Sequence, residues 1–429
     1  MRLRDGSRVC IIGGGPAGSF AALHLLKLAQ EHGLRPAVWI FEPRNHSEPG
    51  RASCKGCAGI LSANLVRSLD SFGLALPKQI VQAELRAYVL HVYGQVTSIE
   101  QPDPRRRILS VYRGAGPRHH QGEPLASFDD YLLKQACAHG AQLVPSRVRT
   151  VDWDGGPVVH TAHERYPADL VVLATGVNSH APLGPTFGYR PPKTAVMVQD
   201  EIPRPENWPD YKVAGFFGQP AGLAFGAMVP KGQYLNVSLL GQDPAAGTIH
   251  RFYQSQDRAL GRFFSTPPES LCCCTARIAV KPAPVYFGDR WVAVGDAAVS
   301  RLYKDGIYSA FHTAGTAMRA AVERGIARQD FERAYAPFCR RLARDNVYGK
   351  LLFDLSLHSM QNPLLARACV ECIRIESNWD VRRRTFSRLM WGMVTGDESY
   401  RDLFWLVFRP KTLLQLGREV LRAAAQRRG

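Results

Sequence analysis

The chain has 429 residues, 45% of them hydrophobic, and a formal net charge of +17. The length allows two or three domains with sizeable cores, and the apolar content excludes a disordered protein. The positive charge indicates an acidic partner surface, such as lipid headgroups or nucleic acid, unless it is only an arginine-rich solvated surface. Since we recognise no nucleic-acid-binding module, we expect no nucleic-acid partner.

The first predicted strand begins within ten residues of Met1, so we expect no secretory or transit segment. No apolar run approaches the length of a membrane span. The ten cysteines are therefore expected to be free thiols in a reducing compartment. The expected location is cytoplasmic, with the inner membrane surface as a further option discussed below.

The predicted strand Val9–Ile12 is followed by a glycine-rich turn and a helix that begins at Pro16. Gly13 can form the tight turn, and Gly15 lets the backbone approach a pyrophosphate, while Gly18 permits close helix–strand contact. The next strand, Ala37–Phe41, ends at an acid that can accept hydrogen bonds from both ribose hydroxyls. Strand, turn, helix and acid together predict a dinucleotide site rather than a structural turn. Its predicted contacts are Gly13, Gly15, Pro16, Ala17, Gly18, Glu42, Pro43 and Arg44.

Further strand-like runs occur at Leu170–Ala174 and Trp291–Val294, as a doubly wound sheet requires. A helix is predicted from Phe128 through Cys137, followed by the strand Gln142–Val144. Two stretches with alternating, strand-like segments interrupt this scheme, and we interpret them as one antiparallel substrate domain inserted twice. The predicted boundaries are 1–77, 114–181 and 285–326 for the cofactor domain, 78–113 and 182–284 for the substrate domain, and 327–429 for a helical C-terminal region.

The chain carries further turns at Ala174-Thr175-Gly176, Gly295-Asp296 and Asp305-Gly306-Ile307. Together with Gly13–Gly18 and Glu42, they resemble the FAD-binding pattern of aromatic hydroxylase-type flavoproteins. Within these, the chain is most similar to the geranylgeranyl reductase family, which is related to the flavin-dependent halogenases. The resemblance covers residues 1 to about 325.

This resemblance implies an α/β fold: a Rossmann-like FAD-binding domain with an inserted antiparallel β-sheet substrate domain and a helical C-terminal region. It implies FAD as cofactor, with NAD(P)H or another external reductant. Members of the family typically transfer hydride from flavin N5 to isolated prenyl double bonds. The helix from Gly306 is expected to stabilise negative charge on the reduced flavin. The further FAD contacts expected are Val148, Thr175, Gly176, Gly295, Asp296, Gly306 and Ile307.

The segment Cys57–Gly59 approximately matches a cysteine-glycine loop that family members carry near the flavin. The thiols of Cys54 and Cys57 and the ammonium of Lys55 are candidate catalytic proton donors. The alternative is a structural loop whose backbone alone touches the flavin. Cys369–Cys372 is a second Cys-x-x-Cys, and four such thiols have the count for zinc or an iron–sulfur cluster. Because the two pairs are far apart in sequence, we predict no metal site.

The predicted substrate sheet departs from the family pattern at Phe225–Gly232. The reductases carry Tyr-x-Trp-x-Phe-Pro there, and the tryptophan position is Ala227 in this chain. We expect Phe225, Ala227 and Val229 to contact substrate in a wider or differently shaped pocket, so the substrate need not be a geranylgeranyl chain. Lys304 has two interpretations, as a residue over the flavin or as a solvated loop residue.

The C-terminal segment predicts a basic amphipathic helix. Its apolar face is expected to contain Leu413, Leu416, Val420, Leu421 and Ala424, with Lys411, Arg418 and Arg422 elsewhere. Such a helix can lie among lipid headgroups as a peripheral membrane contact, or it can pack on its own domain.

The predicted function is that of an FAD-dependent oxidoreductase reducing carbon–carbon double bonds of an apolar, isoprenoid-like or otherwise unsaturated substrate. One alternative is a flavin-dependent monooxygenase acting on an aromatic or natural-product intermediate. A second alternative is an electron-transfer or binding module at a membrane or carrier protein. Fold alone does not distinguish these chemistries.

Overall fold

A computed structural model describes residues 1–50, 57–217, 223–241, 247–266, 268–272 and 274–425. Its strands are β1 (Arg8–Ile12), β2 (Ala37–Phe41), β3 (Ile60–Leu61), β4 (Val81–Leu85), β5 (Ala87–Val92), β6 (Gln95–Glu100), β7 (Ile108–Val111), β8 (Gln142–Val144), β9 (Thr150–Trp153), β10 (Pro157–His160), β11 (Arg165–Pro167), β12 (Leu170–Leu173), β13 (Thr194–Pro203), β14 (Lys212–Phe217), β15 (Leu223–Lys231), β16 (Tyr234–Gly241), β17 (Cys274–Ala279), β18 (Phe287–Gly288) and β19 (Trp291–Ala293). Its α-helices are α1 (Pro16–Glu31), α2 (Ala63–Phe72), α3 (Phe128–Ala138), α4 (Thr248–Ser255), α5 (Asp257–Leu260), α6 (Gly306–Glu323), α7 (Arg328–Ala334), α8 (Ala336–Gln361), α9 (Pro363–Glu376), α10 (Phe386–Thr395), α11 (Tyr400–Val407) and α12 (Pro410–Ala425).

A six-stranded, mainly parallel sheet carries the glycine-rich turn. Its order is β18-β19-β12-β1-β2-β8, and only the β18–β19 pair is antiparallel. The apolar runs of β1 and β12 are buried because both faces of the sheet are covered. Helices α1, α3 and α6 cover one face, and the small antiparallel sheet β9–β11 covers the other. The predicted α/β fold class is confirmed.

The second large sheet has the order β17-β13-β16-β15-β14-β5-β6. Its strands come from both inserted stretches, β5 and β6 from the first and β13–β17 from the second. All its neighbouring pairs are antiparallel except β5 and β14, which are parallel. Strands β4 and β7, also from the first stretch, lie instead in a small separate sheet with β3.

The two faces of the seven-stranded sheet have different neighbours. Val237 and Leu239 pack toward α4 on one face, while Val229 packs against α9 and α10 on the other. Alternate residues of a strand point to opposite faces, so Phe225 and Leu240 share the face of Val229. The C-terminal helices thus cover the face of this sheet that carries the predicted substrate contacts. None of the helices in the described ranges is long and apolar enough to span a membrane.

Candidate functional site

The predicted cofactor contacts gather at one edge of the parallel sheet. The carboxyl ends of β2, β1, β12 and β19 lie side by side there, because these neighbouring strands run in the same direction. The glycine-rich turn, Ala174–Gly176 and Gly295-Asp296 follow β1, β12 and β19, whereas Asp305–Ile307 lies at the start of α6. Strand β1 lies where the chain changes direction across the sheet, with β2 on one side and β12 on the other. Ligands of open α/β sheets bind at such a switch point.

The glycine-rich turn leaves no room for a side chain at Gly13 or at Gly18. A Cβ on Gly13, whose φ is +108°, would lie 2.6 Å from the carbonyl oxygen of Ala174. A Cβ on Gly18 would lie 1.8 Å from the carbonyl oxygen of Gly13. Helix α1 begins at Pro16 with no side-chain cap and no acidic residue in its first turn. This helix terminus is therefore suited to an anionic ligand group such as a pyrophosphate.

Glu42 is buried at the end of β2 and is held by main-chain donors. Its carboxylate accepts hydrogen bonds from the amides of Gly14 and Arg44, each at 3.0 Å, and from Arg44 Nε at 3.1 Å. Pro43 is exposed beside it, and Val148 is buried on the β9–β11 side of the sheet. The fixed carboxylate lies next to the glycine-rich turn, as a ribose acceptor would.

Sequence reasoning missed an ion pair beside this turn. Arg113 Nε and Nη2 donate to the two carboxylate oxygens of Asp129, at 3.0 and 2.9 Å. Asp129 is fully buried in the first turn of α3, and Arg113 lies two residues after the end of β7. A Cβ on Gly15 would lie 3.7 Å from Arg113 Nη2 and 3.8 Å from Asp129 Oδ2, so the ion pair lies beside the place expected for the pyrophosphate. The signal available in the sequence was an arginine two residues after the apolar run Ile108–Val111.

The turn after β19 joins the N-termini of two helices. A Cβ on Gly295 would lie 2.8 Å from Ala17 Cβ in α1, and the Gly295 amide donates to Thr313 Oγ1 in α6 at 2.9 Å. Asp296 Oδ1 would lie 3.7 Å from a Cβ on Gly306, the first residue of α6. Burial raises the pKa of the Asp296 carboxyl. The carboxylate thus lies between the two helix termini, where it can accept hydrogen bonds from a polyhydroxylated ligand.

The remaining predicted contacts lie around the same edge. Thr175 Oγ1 is buried and has no hydrogen-bond partner within the described ranges, so it is available to a ligand. Gly176 has a φ of +66°, and Ile307 is partly buried in the first turn of α6. Asp305, which precedes α6, adopts a left-handed conformation, and burial raises the pKa of its carboxyl to about 7.

The cysteine loop is only partly described. Cys54 and Lys55 lie outside the described residues, and their assignment as proton donors stays a prediction. Cys57 is a partly buried free thiol whose sulfur accepts a hydrogen bond from the Gly59 amide at 3.4 Å. It also interacts with the Arg113 guanidinium, which lies beside the glycine-rich turn. Its catalytic role likewise stays a prediction.

A buried lysine connects this loop to the seven-stranded sheet. Lys231 Nζ donates to Glu201 Oε1 at 2.5 Å and to the carbonyl oxygen of Cys57 at 3.0 Å. It also lies 4.6 Å from the ring centroid of Tyr112. Because Lys231 and Glu201 are both almost fully buried, each requires the other as partner. The pair fixes the loop against β15.

An apolar cavity lies between the seven-stranded sheet and helices α8 and α10. Its cavity volume is about 80 Å³, and the space around it opens to solvent. The described lining is mainly aromatic and methionine-rich: Phe217, Phe225, Leu240, Tyr303, Lys304, Phe353, Asp354, Ser356, Leu357, Met360, Met390, Met393 and Val394. The cavity adjoins the edge where the predicted cofactor contacts gather, since Tyr303 and Lys304 lie three and two residues before the start of α6.

Of the three predicted substrate contacts, Phe225 lines this cavity. Ala227 and Val229 lie further along the same face of β15, and Val229 is buried against α9 and α10. Their part in substrate binding stays a prediction. Lys304 is partly buried, with its Nζ 4.9 Å from the ring centroid of Phe225. The interpretation of Lys304 as a solvated loop residue is therefore wrong.

The cysteines in the described ranges are free thiols. Cys369 and Cys372 lie on α9, and burial raises the pKa of Cys369 to about 11. Within the same ranges, no three His, Cys, Asp or Glu side chains are grouped as metal ligands would be. These thiols are thus protonated side chains in a helix packed on the sheet.

Neither a family model nor a curated protein matches this chain. Among solved structures, it is similar to a geranylgeranyl bacteriochlorophyll reductase-like protein from Thermoplasma acidophilum, with a TM-score of 0.65, 18% identity, and coverage of 94% of this chain and 99% of that one. It is also similar to a flavoprotein/dehydrogenase from Cytophaga hutchinsonii, with a TM-score of 0.63, 14% identity, and coverage of 98% and 99%. The flavin-dependent brominase Bmp2 has a TM-score of 0.58, 16% identity, and coverage of 98% and 100%. The chain therefore shares the fold of these three proteins.

Proposed function

We propose that this protein is an FAD-dependent oxidoreductase that reduces a carbon–carbon double bond of an apolar substrate. The observation that carries the proposal is the apolar cavity that adjoins the edge where the predicted cofactor contacts gather. The N-terminus of α1, with Gly15 and Arg113, would hold the pyrophosphate. Glu42 would accept the ribose hydroxyls, and Asp296 would bind the ribityl chain.

Bound FAD would supply two-electron hydride chemistry, and NAD(P)H or another external reductant would reduce the flavin again after each turnover. The N-terminus of α6 favours negative charge in the place expected for the pyrimidine edge, since its first amides have no acceptor within the helix. Cys57, together with Cys54 and Lys55, remains a candidate source of the proton that completes the reduction.

The preference for an apolar substrate rests on the lining of the cavity. Three phenylalanines and three methionines are among its thirteen described lining residues, and methionine adapts to irregular apolar shapes. Because the family's tryptophan position is Ala227 here, we do not propose a geranylgeranyl chain specifically.

Anaerobic reduction of the FAD-loaded protein, followed by rapid mixing with oxygen, tests this proposal. A reductase is expected to reoxidise slowly, without a transient absorbing species, and to consume an unsaturated lipid anaerobically. A resolved transient species before reoxidation would contradict it and favour the monooxygenase alternative. That alternative is supported by the likeness to structures described as a flavin-dependent brominase and an oxygenase. Failure of the protein to retain FAD would contradict both.

We further propose that α12 forms a peripheral contact with an anionic lipid surface, a contact that also suits the electron-transfer alternative. Leu416 packs partly against the C-terminal core, whereas Leu413, Leu414 and Leu421 are exposed. Part of the apolar face expected from the sequence is thus packed on the protein, and part of it is exposed to solvent. Arg418 lies on the exposed side, and the net charge of +17 attracts anionic headgroups.

A further inference from the structure

Lys304 is the one cation among the described residues that line the cavity. Its Nζ lies over the Phe225 ring, and within the described ranges it has no hydrogen bond or ion pair. Burial lowers the pKa of its ammonium group to about 8. A charged group in an apolar wall without a counterion is costly, and an anionic ligand would offset that cost.

The one carboxylate among the described lining residues is already paired. Asp354 also lines the cavity, but its side chain is half-exposed and accepts a hydrogen bond from Lys350 Nζ at 2.5 Å. The rest of the described lining is apolar apart from the hydroxyls of Tyr303 and Ser356. The cavity therefore presents one unpaired positive charge and a large apolar wall.

A single lysine suits a ligand with a single negative charge. A diphosphate head would require several cations, and the described lining supplies only one. A carboxylate can pair with one ammonium while its hydrocarbon part contacts the phenylalanine and methionine side chains.

We propose that Lys304 binds the carboxylate of the substrate, which is an apolar carboxylic acid with its hydrocarbon part in the cavity. This inference rests on the proposed function and narrows its substrate class. Lys304 acts here as a specificity-determining residue, because it selects the acid over the corresponding alcohol.

The groups around Lys304 determine how binding depends on pH. Tyr303 precedes it, α8 presents Asp354 and Lys350 at the cavity rim, and α10 presents only apolar side chains to the lining. Asp305 follows it, but this carboxyl interacts with Ser62, Arg301 and Asp397. Affinity for the acid is therefore expected to fall as the pH rises through about 8, where Lys304 loses its charge. Asp305→Asn should leave that dependence in place.

The test is calorimetric binding of decanoate and 1-decanol to the FAD-loaded protein at pH 7, in the wild type and in Lys304→Met and Lys304→Arg. We expect Lys304→Met to weaken decanoate binding about tenfold and to change decanol binding less than about twofold. Lys304→Arg should retain decanoate binding and keep it at a higher pH. Lys134→Met, which removes a largely exposed lysine from α3, is the matched control and should change neither.

Three results would overturn the inference: no binding of either probe, equal affinity of the wild type for decanoate and decanol, or unchanged decanoate affinity in Lys304→Met. Circular dichroism and flavin absorbance establish that each variant is folded and loaded. Because the calorimetry measures binding without turnover, a result that overturns the role of Lys304 does not affect the outcome of the oxygen-mixing experiment, which tests the proposed function. Conversely, a failure to retain FAD would be seen in the absorbance before any ligand is added.

Discussion

At the scale of single residues, the glycines differ in what a methyl group would meet. A Cβ on Gly18 would lie 1.8 Å from the carbonyl oxygen of Gly13, whereas one on Gly417 would have no atom within 4 Å. Both glycines lie within helices. Gly18→Ala must therefore displace the backbone of the turn, while Gly417→Ala only gains helix propensity.

We expect Gly18→Ala to lower the free energy of unfolding by about 3 kcal/mol or more and to abolish FAD binding. Gly417→Ala should raise the free energy of unfolding by about 0.5–1 kcal/mol and leave FAD binding unchanged. Urea denaturation and flavin absorbance measure the two effects. Equal stability of both variants would contradict the packing described for the turn.

Lys304 should also affect stability, independently of any ligand. Its pKa is about 8 in the folded protein and ordinarily 10.5, so the unfolded chain binds more protons between these values. The contribution of Lys304 to the free energy of unfolding therefore becomes more favourable as the pH rises from about 8 to 10.5. Below pH 8 the full cost of its charge lowers the free energy of unfolding.

Lys304→Met is thus expected to raise the free energy of unfolding by about 1–3 kcal/mol at pH 7, because the buried charge is removed. The gain should shrink as the pH approaches 10. Urea denaturation at pH 7 and 9.5 measures the difference, with the exposed Lys134→Met as control. A variant that is less stable than the wild type at pH 7 would mean that the lysine is paired in the folded protein.

At the scale of elements, substitutions on the exposed face of α12 test the proposed lipid contact. Replacing Leu414 and Leu421 with Gln removes the two most exposed leucines of the helix and leaves its packed side intact. Sedimentation with phosphatidylcholine vesicles containing phosphatidylserine should show affinity reduced at least about tenfold.

The matched control replaces Val96 and Leu143 with Gln, since these exposed apolar residues lie on β6 and β8, away from α12 in the chain. This control should bind vesicles like the wild type. Equal binding by all three proteins, or binding by none, would contradict the membrane contact.

At the scale of the whole molecule, the features that the sequence predicted are those formed by neighbouring residues. The strand, glycine-rich turn and helix of β1–α1 lie within one short segment, so pattern and spacing suffice to predict them. The Arg113–Asp129 pair was missed because residues sixteen apart meet only after α3 has packed on α1. The parallel pairing of β5 with β14 depends on contacts across more than a hundred residues. Lys304 could not be placed for the same reason, since its surroundings come from the sheet and from α8 and α10.

The order of the strands in the parallel sheet has a consequence for synthesis of the chain. Strand β1 leaves the ribosome before the other strands of this sheet, yet its neighbour β12 ends at Leu173 and the turn at Gly295 packs on α1. A nascent chain cannot complete the cofactor edge until α6, which ends at Glu323, has emerged. Strand β1 and helix α1 therefore emerge before β12 can pair with β1, which leaves that edge of the sheet unpaired in the meantime. Cofactor binding is thus expected to occur late in synthesis of the chain.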